Sequence, residues 1–190
     1  MNLKPKRVFS NLLPAVLAAT VAVACQTVQT TGGGAVGVER EQMMMIPARD
    51  IEQASAQQYQ EVLVEARRKN ALNRDAAQVQ RVRQIANRLI PQTANFRPDA
   101  PAWKWEVNVI SSNELNAWCM AGGKIAFYSG LIERLALTDD EIAAVMGHEI
   151  AHALREHARE RVSKAMATGL GISVAGALLG VGQAHDFHHQ

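Results

Sequence analysis

The sequence contains few cysteines, few aromatic residues and almost no net charge. Its 190 residues include only two cysteines, which excludes a framework of disulfides. Aromatic residues make up 5% of the chain, the formal net charge is +2, and like charges form no block. Since nucleic-acid-binding proteins carry basic patches, we expect no nucleic acid partner. The 48% hydrophobic content and the absence of internal repeats predict one ordinary domain with a packed core.

The N-terminus has the pattern of an export signal. A short basic stretch ends at Arg7, and the mostly apolar run that follows ends in small residues. This run is shorter than a typical membrane-spanning helix, and polar sequence follows it closely. Its ending, Ala22-Val23-Ala24-Cys25, resembles the lipobox of bacterial lipoproteins, in which the cysteine is lipidated and becomes the first mature residue. We therefore expect residues 1–24 to be removed and Cys25 to carry a lipid; the alternative is an ordinary cleaved signal with a chance cysteine.

The lipobox resemblance implies a location in the bacterial cell envelope. Gln26 stands where an Asp would retain a Gram-negative lipoprotein at the inner membrane, so we expect an outer-membrane anchor facing the periplasm. The Thr-, Gln- and Gly-rich sequence that follows is typical of a flexible tether, which we place at residues 25–48. Lipidation of Cys25 leaves Cys119 without an intramolecular partner, and we interpret Cys119 as a partly buried thiol rather than a nucleophile.

The rest of the chain, residues 49–190, begins with two predicted helices. A polar, Gln-rich helical region starts near Asp50 and breaks near residues 70–73. The second helix carries one apolar stripe over residues 79–90, and Pro91 ends it. We expect both helices to pack on a sheet.

Two strands follow these helices. Residues 103–110 alternate between apolar and polar side chains, which is the pattern of a strand with one buried face. Residues 124–128 form a second short strand after the turn at Gly122-Gly123. Together with the helices, these strands predict an α+β fold.

A third helix begins with a capping box, in which Thr138 accepts from a first-turn N–H group and Glu141 reaches back. Gly147 is its only glycine, and with no proline the helix can continue to about Thr168. The apolar, Gly-rich residues 165–182 that follow are either a membrane helix or a buried or amphipathic segment of the domain.

The sequence His-Glu-Ile-Ala-His lies in the middle of this third helix. His148 and His152 are four residues apart and therefore share one face, so their imidazoles can bind one metal ion. Imidazole nitrogen suits zinc, and a catalytic zinc site uses three protein ligands and leaves one position to water. Glu149, next to the first histidine, can take a proton from that water. The alternative is a solvated helix with accidental histidines.

Helix geometry excludes two neighbouring residues as the third ligand. Glu156 lies about 12 Å along the axis from His148, which is too far to share one ion. His157 points about 140° away from His152 around the helix axis and can bind only if the helix breaks. Three more histidines lie in a tail that we interpret as a disordered His-rich end: His185, His188 and His189. Two ligands and a base are thus present, and we expect the third ligand to be absent from this chain.

Several segments together resemble the zinc metallopeptidase family of HtpX and the CAAX prenyl proteases. They are residues 145–154 around the two histidines, Asn116-Ala117-Trp118, and the strand and turn at residues 124–131. The resemblance covers residues 71–182 and is strongest to lipoprotein and periplasmic members involved in envelope quality control. It implies a gluzincin-like α+β metallopeptidase domain with N-terminal helices, a small sheet with an edge strand and an active-site helix.

The resemblance also implies partners and roles. We expect one zinc ion per subunit, Glu149 as the catalytic base, and protein or peptide substrates that pair with the edge strand, which makes Asn116 and Ala117 candidate substrate-binding residues. In that family the third zinc ligand is a glutamate of a later E-x-x-x-D segment, which this sequence lacks. We therefore expect a truncated chain or a degenerate relative. A catalytically incomplete envelope lipoprotein that acts as a chaperone or assembly scaffold remains the alternative function.

Overall fold

The computed structural model describes residues 26–32 and 41–169. The predicted signal at 1–24, Cys25, the three tail histidines and most of the apolar segment 165–182 lie outside the described residues. Within the described ranges, no helix combines the length and the apolar character that crossing a bilayer requires.

Both predicted N-terminal helices are present. Helix α1 spans Ala48–Arg68 and helix α2 spans Ala76–Leu89. Asp75 caps α2, since its carboxylate accepts a hydrogen bond from the backbone N–H of Gln78 at 3.1 Å. Pro91 ends α2 as predicted, and the chain continues in a 3-10 helix at Ile90–Asn95. A second 3-10 helix occupies Ala100–Ala102.

The main sheet has three strands in the order β3-β5-β4. Strand β3, Glu106–Ile110, runs parallel to the central strand β5, Lys124–Tyr128, and strand β4, Ala117–Met120, runs antiparallel to it. The predicted strand at 124–128 is confirmed. The strand predicted at 103–110 is shorter, because Trp103 ends the second 3-10 helix and Trp105 is tied to it through its indole N–H, which donates to the carbonyl of Ala100 at 2.8 Å.

Helices cover both faces of this sheet, so the prediction of one buried face was incomplete. Ile125 and Phe127 of β5 point into a core shared with α2 and with α4, Asp139–Leu154. Ala126 points to the opposite face, where it meets Tyr59 and Leu63 of α1. Strand side chains alternate between faces, and here each face meets a helix. The α+β fold class is therefore confirmed, with the sheet between two helical layers.

The predicted unbroken helix from Glu141 to about Thr168 is wrong. Helix α4 ends at Leu154, and a separate helix α5 spans His157–Thr168. The break is at Glu156, whose backbone is in the left-handed region with φ 51°. A short helix, α3, occupies Ser129–Arg134 between β5 and α4. The break changes the surroundings of the histidines, as described below.

Parts of the predicted tether have a defined structure. Strand β1, Gln26–Val28, pairs antiparallel with β2, Gln42–Met44. The side-chain amide of Gln42 donates to the carbonyl of Arg155 and to a carboxylate oxygen of Glu160, each at 2.8 Å. The N-terminal segment thus contacts the junction between α4 and α5. The tether and the domain boundaries stay predictions.

Candidate active site

Helix α4 is held in place by its start and by its buried face. The capping box predicted at Thr138 is confirmed: its backbone N–H donates to Glu141 at 2.8 Å, and its hydroxyl oxygen accepts from the backbone N–H of Glu141 at 3.4 Å. One stripe of α4 lies in the core and consists of Ile142, Met146, Ile150 and Leu154. Because this stripe faces the sheet, His148 is exposed and His152 and Glu149 are half-buried.

The two histidines of α4 converge. The Nε2 atoms of His148 and His152 lie 2.9 Å apart, and the ring planes meet at 77°. Two nitrogens bound to one zinc at 2.0–2.1 Å lie about 3 Å apart, so this pair fits two of the three protein ligands of a catalytic zinc site. Burial, followed by the charges of the nearby His157 and His148, lowers the pKa of His152 to about 4. The imidazole of His152 is therefore neutral near pH 7, which is the form that binds a metal.

Glu149 is a half-buried residue of α4 and follows His148 directly in the chain. Burial raises the pKa of its carboxyl group above the usual range, although the neighbouring His148 partly offsets this. A carboxylate with a raised pKa is a better proton acceptor than an exposed one. Cys119 of β4 lies near it and is half-buried, as predicted. Burial and the charge of Glu149 both raise the pKa of the Cys119 thiol, which keeps it protonated.

A cleft of about 950 Å³ runs between β4 and helices α4 and α5. His148, Glu149 and His152 line this cleft, and so do Asn116 and Ala117. Asn116 is exposed and Ala117 is buried. Strand β4 lies at an edge of the described sheet, so it borders the cleft lengthwise. The structure thus brings all five predicted site residues of the domain to one cleft.

The break between α4 and α5 is stabilised by two arginines. Arg97 and Arg159 each donate to one carboxylate oxygen of Glu156 at 2.7 Å. Arg97 also donates to the carbonyl of Leu154, the last residue of α4, at 3.3 Å. A left-handed backbone costs a residue other than glycine about 1–2 kcal/mol. These charged contacts, made by half-buried side chains, offset that cost.

The break turns His157 back toward His152. Their Nδ1 atoms lie 2.6 Å apart, on the side of the His152 ring opposite to His148. His157 would point away from His152 in an unbroken helix, and the break at Glu156 removes that restriction. No glycine or proline marks the break, and Arg97 lies 59 residues before Glu156. The sequence therefore contained no local signal for this contact.

The third zinc ligand is not found in the part of the chain that the structure describes. Across residues 26–32 and 41–169, no group of three or more His, Cys, Asp and Glu side chains is arranged to hold a metal ion. Glu156, which helix geometry excluded as a ligand, is instead bound by Arg97 and Arg159. His157 contacts the Nδ1 atom of His152, whereas His148 contacts its Nε2 atom.

A helix that carries His-Glu-x-x-His beside a cleft with an edge strand defines a protein of the metallopeptidase class. Comparison with known proteins specifies the class further: residues 76–189 match peptidase family M48. The chain belongs to this family of metalloproteases, which confirms the family predicted from the sequence. The individual roles of His148, Glu149 and His152 stay predictions. No solved structure matches the chain.

The relatives that the chain resembles include the following three, which are named metalloproteases or metalloendopeptidases. The metalloprotease LoiP of Escherichia coli (strain K12) is 29% identical over 170 residues, which cover 89% of this chain and 62% of that protein. The mitochondrial metalloendopeptidase OMA1 of Arabidopsis thaliana is 40% identical over 60 residues, or 32% of this chain and 12% of that protein. The metalloprotease YcaL of the same E. coli strain is 41% identical over 49 residues, which cover 26% of this chain and 18% of that protein. The chain thus spans between 12% and 62% of the length of these relatives.

Proposed function

We propose that this protein is a zinc-dependent metalloendopeptidase that hydrolyses peptide bonds of proteins in the bacterial cell envelope. The observation that carries the proposal is the convergence of the Nε2 atoms of His148 and His152, 2.9 Å apart, with Glu149 on the same helix at the wall of the 950 Å³ cleft. Membership in family M48 and the names of the relatives support the same reaction.

Each of these residues has a distinct role in the proposed reaction. His148 and His152 would hold one zinc ion, which would polarise a peptide carbonyl as a Lewis acid and lower the pKa of bound water. Glu149 accepts a proton from the attacking water and returns it to the leaving amine. Its half-buried position suits this shuttle, because burial raises the pKa of the carboxyl group and so makes it a stronger base than an exposed carboxylate.

The substrate is proposed to bind as an added strand. Strand β4 is hydrogen-bonded to β5 on one side and borders the cleft, so an extended peptide can pair with its other side. Asn116 and Ala117 at the start of β4 are the proposed contacts. A peptide in this position would lie near Glu149, since β4 and Glu149 line the same cleft.

The test compares zinc content and hydrolysis of casein by the full-length gene product and by its Glu149→Gln variant. We expect the wild-type protein to bind about one zinc per subunit and to be active, and the variant to keep the zinc and lose activity. The matched control is Glu61→Gln, which changes an exposed glutamate of α1 and should have no effect. Equal activity of wild type and Glu149→Gln would refute the proposal.

The location is proposed from the N-terminal sequence. Cys25 is the proposed lipidation site, residues 1–24 the signal peptide, and the outer membrane, facing the periplasm, the final location. Envelope proteins are then the accessible substrates, and their quality control is the proposed process. Metabolic labelling with palmitate tests the anchor. Label in the wild type but not in Cys25→Ser supports it, and release of that variant to the soluble fraction argues against a membrane helix at 165–182.

The rival function is a chaperone or assembly scaffold that uses the same edge strand without catalysis. The rival is compatible with the position of β4, which lies at an edge of the described sheet and lines the cleft. Sequencing the DNA past codon 190 in all frames would show whether a segment with an E-x-x-x-D pattern follows. If wild type and Glu149→Gln prevent aggregation of a client equally and neither hydrolyses it, the scaffold function is the correct one.

A further inference from the structure

We propose that His157 is a positioning residue that holds the proposed zinc ligand His152 in the correct tautomer. This inference rests on the proposed function, because it gives His157 a role only if His152 binds the metal. The observation behind it is a chain of three imidazoles, in which the ring of His152 meets His148 through Nε2 and His157 through Nδ1.

The distances define what each nitrogen of His152 can do. Its Nδ1 lies 2.6 Å from Nδ1 of His157, and its Nε2 lies 2.9 Å from Nε2 of His148. A neutral imidazole carries one N–H donor and one acceptor. If the Nδ1–H of His152 donates to His157, the Nε2 lone pair of His152 is free to bind the metal beside His148. The opposite tautomer would place a proton where the metal should bind.

Such a partner is expected for a histidine that binds a metal. Metal-ligating histidines almost always donate their second ring N–H to an acceptor, which fixes the ring and raises its basicity. Here the acceptor is the Nδ1 atom of His157.

The position of His157 depends on the break between α4 and α5. In an unbroken helix His157 would point about 140° away from His152. Glu156 in its left-handed conformation separates α4 from α5, and Arg97 and Arg159 hold its carboxylate at 2.7 Å each. Gln42 of β2 adds a contact to the carbonyl of Arg155 on the same turn. Arg97 also donates to the carbonyl of Leu154. Four hydrogen bonds, from Arg97, Arg159 and Gln42, therefore stabilise a strained turn. This turn places the imidazole of His157 beside His152.

The first test measures zinc affinity of the full-length gene product by competition with a fluorescent zinc chelator. His157→Leu removes the acceptor, and His157→Asn keeps one, since the amide oxygen can replace Nδ1. We expect the Leu variant to bind zinc about 10- to 100-fold more weakly than wild type, and the Asn variant to recover most of that loss. Equal affinity of wild type and Leu variant, or an equal loss in the Leu and Asn variants, would overturn the inference. Circular dichroism checks that each variant is folded.

The second test reads the tautomer in the wild-type protein, so it stands even if the Leu variant does not fold. Long-range ¹H–¹⁵N spectra of the metal-free protein with labelled histidine should show the proton of His152 on Nδ1. A proton on Nε2 would overturn the inference. The two proposals fail separately: wild-type protein that binds no zinc refutes the proposed function, whereas wild-type protein that binds zinc with His152 protonated on Nε2 in the metal-free form refutes only the role of His157.

Discussion

The guanidinium group of Arg97 donates to the carboxylate of Glu156 at 2.7 Å, although the two residues are 59 positions apart in the sequence. Arg97 follows the first 3-10 helix, stacks over the ring of Trp103 at 5.0 Å, and donates to Asp99 at 3.1 Å. Burial lowers the pKa of the Arg97 guanidinium. The hydrogen bonds and negative charges of Glu156 and Asp99 more than offset burial, so the pKa is raised. The pair connects the loop before the sheet to the turn that places His157.

Replacement of Arg97 should destabilise the protein. Arg97→Met keeps much of the apolar contact with Trp103 but leaves the half-buried Glu156 with one arginine instead of two. We expect the free energy of unfolding to fall by about 1–3 kcal/mol, because a buried acceptor loses a charged donor. Urea unfolding measures this change. Arg88→Met, at an exposed position of α2, is the control and should change it by less than about 0.5 kcal/mol.

The left-handed backbone at Glu156 predicts an unusual order of stabilities. Both Glu156→Ala and Glu156→Gly lose the two ion pairs, but only glycine removes the strain at φ 51°. We expect the Gly variant to be more stable than the Ala variant by about 1 kcal/mol. Gln60 is exposed in the middle of α1, where the Ala variant should be more stable than the Gly variant by a similar amount. Thermal unfolding of these four variants measures both differences. If alanine were more stable than glycine at both sites, the left-handed conformation of Glu156 would be contradicted.

The turn between β4 and β5 offers a test of packing near the edge strand. Gly122 and Gly123 both have positive φ, at 74° and 79°, so alanine is strained at either position. At Gly123 an added Cβ would also lie 2.6 Å from the ring of Trp105, whereas at Gly122 it would meet nothing within 4 Å. Gly123→Ala should therefore lose about 1–3 kcal/mol more in unfolding free energy than Gly122→Ala. Similar losses in urea titrations would show that Trp105 can move.

The capping box of α4 should contribute measurably to stability. Thr138→Ala removes the hydroxyl that accepts from the backbone of Glu141 and should cost about 1 kcal/mol. Thr138→Ser keeps the hydroxyl and should be close to wild type. Guanidinium unfolding of the three proteins distinguishes the cap from the loss of a methyl group, since a serine variant as unstable as the alanine variant would rule out the cap.

Much of the fold was predictable because its signals are local. The apolar stripe over residues 79–90 and the stop at Pro91 predicted α2, and the capping box at Thr138 predicted the start of α4. The strand at 124–128 was also predicted correctly. The strand predicted at 103–110 was too long, because alternation alone does not reveal that Trp103 and Trp105 are held by a 3-10 turn.

The arrangement of the strands was not predictable in the same way. Strand β5 lies between β3 and β4, which places β4 at an edge along the cleft. Asn116 and Ala117 were candidates by resemblance, and only the tertiary structure brings them to the same cleft as Glu149. Strand order depends on contacts between distant segments, to which periodicity within one segment is insensitive.

The sequence by itself determined that His148 and His152 share one face of a helix, because residues four apart on a helix lie on the same face whatever surrounds it. The tertiary structure alone decided where that helix ends and that His157 meets His152. No residue next to Glu156 favours a break, so the helix was predicted to continue past it. Half-buried ion pairs with Arg97, 59 residues away, and with Arg159 offset the cost of a left-handed residue, and such contacts exist only once the chain is folded.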